Sequence, residues 1–90
     1  MSQIIVIDVR TQEEYAQGHL EGALLLDVTN GQFHTSLSTL DTHARYLLYC
    51  RSGNRSGQAE HIMRQAGFDR VTNLGSVEEA SLKTSRPLTH

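Results

Sequence analysis

The only cysteine of the chain, Cys50, stands directly before a polar segment that could activate it. That segment reads Arg51-Ser52-Gly53-Asn54-Arg55 and carries two arginines and one glycine. A glycine-bearing loop can turn successive backbone N–H groups inward to form an anion-binding nest, and the positive end of a following helix adds to the effect. These features favour a thiolate, so we expect the pKa of Cys50 to lie well below the value of about 8.5 of a free thiol. The segment therefore predicts a nucleophilic cysteine.

A structural role for Cys50 is the simplest alternative, because free cysteine is among the most buried residue types. A structural cysteine, however, has no use for cations at the positions that Arg51 and Arg55 occupy. The polar loop therefore favours the catalytic interpretation.

The neighbouring elements place Cys50 at the end of a strand. The run 46–49 predicts a strand, and the apolar spacing over 59–66 predicts an amphipathic helix that ends at Gly67. Further strands are predicted at 4–9, 23–26 and 71–74, and further helices after Thr11, over 33–40 and after Ser76. Strands that alternate with helices predict an α/β fold with a mainly parallel sheet, in which ligands bind beyond the carboxyl ends of the strands.

The composition limits the class of protein. Ninety residues, 38% of them hydrophobic, predict one globular domain over 1–90, and we expect its tail from about residue 85 to be loose. Eight basic against ten acidic residues give a net charge of -2, which argues against a nucleic-acid binder. The single cysteine excludes an internal disulfide and argues against a structural zinc site, so we expect neither metal nor cofactor.

Targeting and membrane signals are not evident in the sequence. The apolar run that begins at Ile4 is too short for a signal core, and no run approaches the roughly 20 apolar residues that span a bilayer. We therefore expect a cytoplasmic protein without a membrane partner, and a monomer is the default at this size.

Three blocks of the sequence together resemble the rhodanese (thiosulfate sulfurtransferase) homology domain. The first block is Asp8-Val9-Arg10, Glu14-Tyr15 and Gly18 to Ala23; the second is Leu48-Tyr49 with 50–56; the third is Gly67-Phe68, Val71 and Leu74. The blocks come in family order over roughly 4–76. The sequence departs from the family where Gly75-Ser76 replaces a usual Gly-Gly pair, where Glu21 replaces a frequent proline, and in having no tryptophan.

The resemblance implies a rhodanese-like α/β fold whose central, mainly parallel sheet has about four to five strands flanked by helices. It implies that Cys50 takes a sulfane sulfur from a small anionic donor such as thiosulfate and becomes a persulfide. A thiol, cyanide or a protein then accepts the sulfur. It also implies that Arg51, Ser52, Gly53, Asn54 and Arg55 form the substrate-binding cradle.

Other polar residues have simpler interpretations. Asp8 and Arg10 are expected to form a structural charged pair at a strand end. Glu14 is expected to cap a helix with Thr11, and His19 to lie in a turn. Ser56 could donate to an anion, but a serine near a helix start is commonly a cap.

Two other functions remain open at this point. Cysteine phosphatases and arsenate reductases require a cysteine, five residues and then an arginine, whereas Arg55 follows Cys50 after four. A loop one residue shorter suits a sulfur atom better than a tetrahedral phosphate. The other alternative is a non-catalytic interaction module, which in this family usually lacks the cysteine that is retained here.

Overall fold

A four-stranded parallel sheet forms the centre of the molecule in the computed structural model, which describes residues 3–90. The sheet strands are β1 (Ile4–Asp8), β3 (Leu24–Leu25), β4 (Arg45–Cys50) and β5 (Val71–Ser76), in the order β3-β1-β4-β5. The helices are α1 (Gln12–Gln17), α2 (Gln32–Ser36), α3 (Asn54–Gln65) and α4 (Val77–Thr84). The α/β prediction with a parallel sheet is confirmed.

Two buried clusters cover the two faces of this sheet. Alternate residues of β4 divide between them: Leu48 and Cys50 join one cluster and Tyr49 the other. The first cluster includes Met63 of α3, and the second includes Ala80 of α4. Cys50 therefore lies on the face that α3 covers.

Capping boxes begin two of the helices, as the sequence predicts. The Thr11 side chain accepts from the backbone N–H of Glu14 at the start of α1, and Ser76 accepts from Glu79 at the start of α4. The second box explains the departure from a Gly-Gly pair, because the hydroxyl of Ser76 is the cap itself. Gly75 has φ 98°, a left-handed conformation that favours glycine, and a Cβ there would also displace the carboxylate of Glu79, whose Oε1 would lie 2.6 Å away.

The tail is ordered, so the expectation of a loose segment from about residue 85 is wrong. A strand β6 (Leu88–Thr89) pairs antiparallel with β2 (His19–Leu20), and the N–H of Glu21 donates to the carbonyl of Pro87 at 3.0 Å. The short strand β2 lies outside the central sheet and forms its backbone hydrogen bonds with the tail instead. His19 accordingly lies in a strand rather than in a turn.

The segment predicted as a helix over 33–40 is divided. Helix α2 ends at Ser36, and a 3₁₀ helix follows over Leu37–Thr39. The hydroxyl groups of Thr35 and Thr39 donate to the carbonyls three residues earlier, a local bond that competes with regular helix. The apolar face is still used, because Phe33 is completely buried.

The part of the chain that the structure describes contains no helix with the length and apolar content to cross a membrane. Within the same residues, no three His, Cys, Asp or Glu side chains are grouped so that they could hold a metal ion.

Candidate active site

The candidate site lies where β4 passes into α3, at the carboxyl edge of the parallel sheet. Cys50 is the last residue of β4, which extends one residue beyond the predicted strand over 46–49, and α3 begins at Asn54. The turn between them depends on Gly53, which has φ 97° and ψ -9° and immediately precedes α3. This left-handed conformation is one that residues with a Cβ rarely adopt.

Hydrogen-bond donors surround the sulfur of Cys50. The N–H of Gly53 lies 2.9 Å from Sγ, and Oγ of Ser56 lies 3.4 Å from it. The backbone N–H groups of Ser56 and Ser52 also act on the sulfur. Burial raises the pKa of the Cys50 thiol, but the Ser56 hydroxyl and these backbone donors outweigh burial and lower it below its ordinary value. The arrangement favours a thiolate inside the protein.

Hydrogen bonds, rather than the charges of the loop arginines, are therefore the main cause of the lowered pKa of Cys50. Of the predicted cradle residues, Gly53 donates to Sγ through its backbone N–H, and the backbone of Ser52 also lowers the pKa. Arg51 and Asn54 are exposed side chains of the same loop. Cys50 is completely buried beneath it.

Arg55 is bound to Glu14 of α1 rather than held out toward a substrate. Its Nη1 and Nη2 atoms lie 2.7 and 3.0 Å from Oε1 and Oε2 of Glu14. The hydrogen bond from Arg55 lowers the pKa of Glu14 to about 2, which burial opposes and the bonds from Thr11 assist. The ion pair compensates the charge of Arg55 and fastens the start of α3 to α1.

Arg51 is consequently the cation of the loop whose charge is available. It forms no ion pair with any residue from 3 to 90. It lines a cleft of about 320 Å³ beside the loop, together with Arg10 and Glu78 among other residues.

Asp8 and Arg10 form a buried ion pair near the site. Nη2 of Arg10 lies 2.7 Å from Oδ2 of Asp8 and 2.6 Å from the carbonyl oxygen of Gly18. The guanidinium also lies 5.6 Å from the ring centroid of Tyr49. The pair ties the end of β1 to the residue that follows α1.

The sequence interpretation missed Asn73, and for Ser56 it favoured a capping role over donation to an anion. Oδ1 of Asn73 accepts from Oγ of Ser56 at 2.6 Å, and its Nδ2 donates to the carbonyl of Gly53 at 3.1 Å. A polar residue two positions after Val71, on the face that α3 covers, is the signal that could have indicated Asn73. The partner of Arg55 was missed too, because Glu14 was assigned to capping alone.

Comparisons with known proteins identify the family. The model of the "Rhodanese-like domain" family matches residues 1–81, so the chain belongs to the rhodanese-like domain family. The resemblance inferred from the three sequence blocks is thereby confirmed.

Relatives and solved structures agree with this assignment. The chain is 30% identical over 76 residues to "Thiosulfate sulfurtransferase PspE" of Escherichia coli, covering 84% of this chain and 73% of that protein. It is 37% identical over 71 residues to a protein named "Sulfurtransferase" from Allochromatium vinosum, covering 79% and 64% respectively. A structure described as "rhodanese with anions from E. coli" has a TM-score of 0.79 at 28% identity, covering 96% of both chains. The rhodanese-like domain of the Alr3790 protein from Anabaena sp. has a TM-score of 0.84 at 23% identity, covering 100% of this chain and 84% of that chain, which shows the common fold.

Proposed function

We propose that the protein is a sulfurtransferase that carries a sulfane sulfur as a persulfide on Cys50. The observation that carries this proposal is the sulfur of Cys50 at the carboxyl edge of the sheet, with Gly53 and Ser56 donating to it. The names of the relatives in Escherichia coli and Allochromatium vinosum support the same reaction class. The proposed donor is a small anion such as thiosulfate, and the proposed acceptor is a thiol, cyanide or a protein.

The reaction divides into two half-reactions. In the first, the Cys50 thiolate attacks the sulfane sulfur of thiosulfate; an S–S bond forms at Sγ, and the S–S bond of thiosulfate breaks. Sulfite leaves with the electron pair. In the second, the acceptor attacks the outer sulfur of the persulfide, and Sγ leaves as the thiolate. Neither step of the proposed reaction includes a general base, because a thiolate is the attacking species and the hydrogen bonds of the cradle stabilise its charge.

The burial of Cys50 bears on the choice of donor. Because Cys50 is completely buried, we infer that a donor reaches Sγ only when some of the residues around it move. A donor as small as thiosulfate needs the least movement. Its negative charge suits Arg51, the loop cation without an ion pair among the described residues.

Phosphatase or arsenate chemistry fits this geometry less well. Those reactions need the arginine after the cysteine loop to hold a tetrahedral oxyanion. Here both terminal nitrogens of Arg55 bind the carboxylate of Glu14. The non-catalytic alternative also has less support, because an interaction module has no need of donors aimed at a buried sulfur.

Steady-state kinetics with thiosulfate and cyanide test the proposal. We expect thiocyanate formation with ping-pong kinetics, abolition of the activity in Cys50→Ser, and no hydrolysis of an aryl phosphate by either protein. Circular dichroism controls for the fold of the variant. Full activity in Cys50→Ser, or phosphatase activity without sulfur transfer, contradicts the proposal.

A further inference from the structure

The hydroxyl of Ser56 lies between two acceptors. Its oxygen is 2.6 Å from Oδ1 of Asn73 and 3.4 Å from Sγ of Cys50. Ser56 is completely buried. A hydroxyl carries one hydrogen, so it can donate to only one of these two atoms at a time.

The amide of Asn73 is held in one orientation by its other contacts. Its Nδ2 donates to the carbonyl of Gly53 at 3.1 Å, and its Oδ1 accepts from the N–H of Gly75 at 2.9 Å. Reversing the amide would set Nδ2 against the N–H of Gly75 and Oδ1 against the carbonyl of Gly53, two repulsive contacts. The acceptor oxygen of Asn73 therefore faces Ser56.

Helix α3 packs against this amide at Gly57. A Cβ at Gly57, one residue after Ser56, would lie 3.4 Å from Nδ2 of Asn73. The backbone of α3 therefore lies close to Asn73 at this position, and the preceding residue, Ser56, is within reach of both acceptors.

We propose that Asn73 is a positioning residue that shares the single hydroxyl proton of Ser56 with the sulfur of Cys50. The proposal rests on the sulfurtransferase function proposed above for Cys50. When Sγ carries the negative charge, the proton turns to Sγ, because a hydrogen bond to an ion is the stronger one. When Sγ is neutral, the proton turns to Oδ1 of Asn73.

Both half-reactions move charge on and off Sγ. When the thiolate attacks thiosulfate, the negative charge leaves Sγ for the departing sulfite and, in the resulting persulfide, for the outer sulfur. The Ser56 proton then turns to Asn73. When the acceptor removes the outer sulfur, the electron pair of the S–S bond returns to Sγ, and the proton turns back to stabilise the leaving thiolate. Asn73 thus accepts the hydrogen bond of the Ser56 hydroxyl in the persulfide state, in which Sγ carries no negative charge.

The pKa of Cys50 provides a test that requires no sulfur donor. It is obtained from the pH dependence of the rate at which iodoacetamide alkylates Cys50, in wild type, Asn73→Ala, Asn73→Asp and Ser56→Ala. Thr72→Asp, an exposed residue on the same strand, controls for added charge. The native charged groups near the site are the same in all of these variants. They include Arg55, which interacts electrostatically with Cys50 and Asp27, and Glu14, which binds Arg55.

The two substitutions of Asn73 are expected to act in opposite directions. Asn73→Ala leaves Sγ as the only acceptor for the hydroxyl, so the pKa of Cys50 falls. Asn73→Asp binds the proton more strongly and adds a negative charge, so the pKa rises by about one unit. Ser56→Ala raises the pKa, and in its background Asn73→Ala no longer lowers it.

A purely structural role for Asn73 gives a different pattern. If Asn73 only supports the loop, both substitutions loosen the donors around Sγ and both raise the pKa, which overturns the proposal. An unchanged pKa in Asn73→Ala overturns it as well. If Asn73→Asp does not fold, the effect of Asn73→Ala on the pKa of Cys50, compared between wild type and the Ser56→Ala background, is sufficient to test the proposal. Since no donor is used, a failure of sulfur transfer would not produce any of these results.

Discussion

Hydrogen bonding distinguishes Cys50 from an ordinary core cysteine. The residue is completely buried and belongs to an apolar cluster with Leu48 and Met63. Burial alone would keep the thiol protonated and unreactive. The Ser56 hydroxyl and the backbone donors of the loop reverse this effect. Because these bonds lie in a region of low dielectric constant, small displacements of the donors should change the reactivity of the sulfur strongly.

Gly53 is the loop residue whose substitution should disturb these donors most. Its φ of 97° strains any residue with a Cβ, and that Cβ would lie 3.3 Å from Cα of Gly75. We expect Gly53→Ala to destabilise the fold by about 1–2 kcal/mol and to raise the pKa of Cys50. Urea unfolding and the pH dependence of alkylation measure the two effects.

Gly31 provides a matched control for this prediction. It has φ 87°, and a Cβ there would meet no atom within 4 Å. Gly31→Ala should therefore reduce stability without altering the pKa of Cys50. An unchanged pKa in Gly53→Ala would show that the N–H of Gly53 is not an important donor.

Arg51 should recruit the anionic donor by its charge. We expect Arg51→Ala to reduce kcat/KM for thiosulfate about tenfold at low salt and less at high salt. At high salt the ions already screen the attraction of Arg51 in the wild-type protein, so its removal costs less. Arg70, an exposed arginine just before β5, lies at the other end of the sheet, so Arg70→Ala serves as the control. Equal losses at both salt concentrations would exclude recruitment by charge.

At the scale of the elements, the structure shows which sequence signals were sufficient. The two capping boxes are formed within four residues, so local sequence determines them, and both were predicted. The strand pair β2–β6 joins His19 to Thr89, a contact that no local pattern encodes. The tail contains Pro87 and little apolar sequence, so it resembles a disordered end until its partner strand is known.

The candidate site likewise has one part that the local sequence predicts and another that it does not. Cys50 and the loop after it could be predicted, because their chemistry is contiguous in the chain. The bonds from Ser56 to Asn73 and from Arg55 to Glu14 cross 17 and 41 residues. They depend on the start of α3 lying within reach of both β5 and α1, which only the tertiary structure determines.

The ion pair between α1 and α3 should make stability depend on acid pH. The pKa of Glu14 is lowered from 4.5 to about 2 in the folded protein. A lowered carboxyl pKa stabilises the fold fully above the unfolded value, and the contribution disappears as pH falls through the folded value. We expect Glu14→Gln to reduce stability by about 0.5–1 kcal/mol at pH 7 and to remove part of the loss between about pH 5 and pH 2.

Chemical denaturation across this pH range checks the prediction. Glu60 forms a more exposed pair with Arg64 within α3, so Glu60→Gln is the matched control and should leave the acid dependence nearly unchanged. Identical acid profiles for Glu14→Gln and wild type would mean that the Glu14–Arg55 pair does not couple α1 to α3.

At the scale of the whole molecule, the ends of the described chain are brought into the fold. Ile4 pairs with Arg45 at one end of the central sheet, and Leu88 pairs with Leu20 in the two-stranded sheet. The N–H of Leu20 in turn donates to the hydroxyl of the buried Tyr49 at 3.0 Å. The tail thus stabilises a strand that contacts the core beside the site.

Removal of residues 88–90 should therefore reduce stability while preserving the active site. Loss of β6 removes strand hydrogen bonds worth about 1 kcal/mol, which for a domain of this size lowers Tm by roughly 4–8 °C. Thermal unfolding measures the change, and the exposed substitution Leu82→Ser on α4 serves as the control. The pKa of Cys50 should not change; an unaltered Tm would show that the tail contributes nothing.

Intact mass measurement after incubation with thiosulfate tests most directly whether Cys50 carries sulfur. The account predicts that the wild-type protein gains the mass of one sulfur atom, that cyanide removes it, and that Cys50→Ser gains nothing. A wild-type protein with a demonstrably unmodified thiol and no gain in mass would contradict the account.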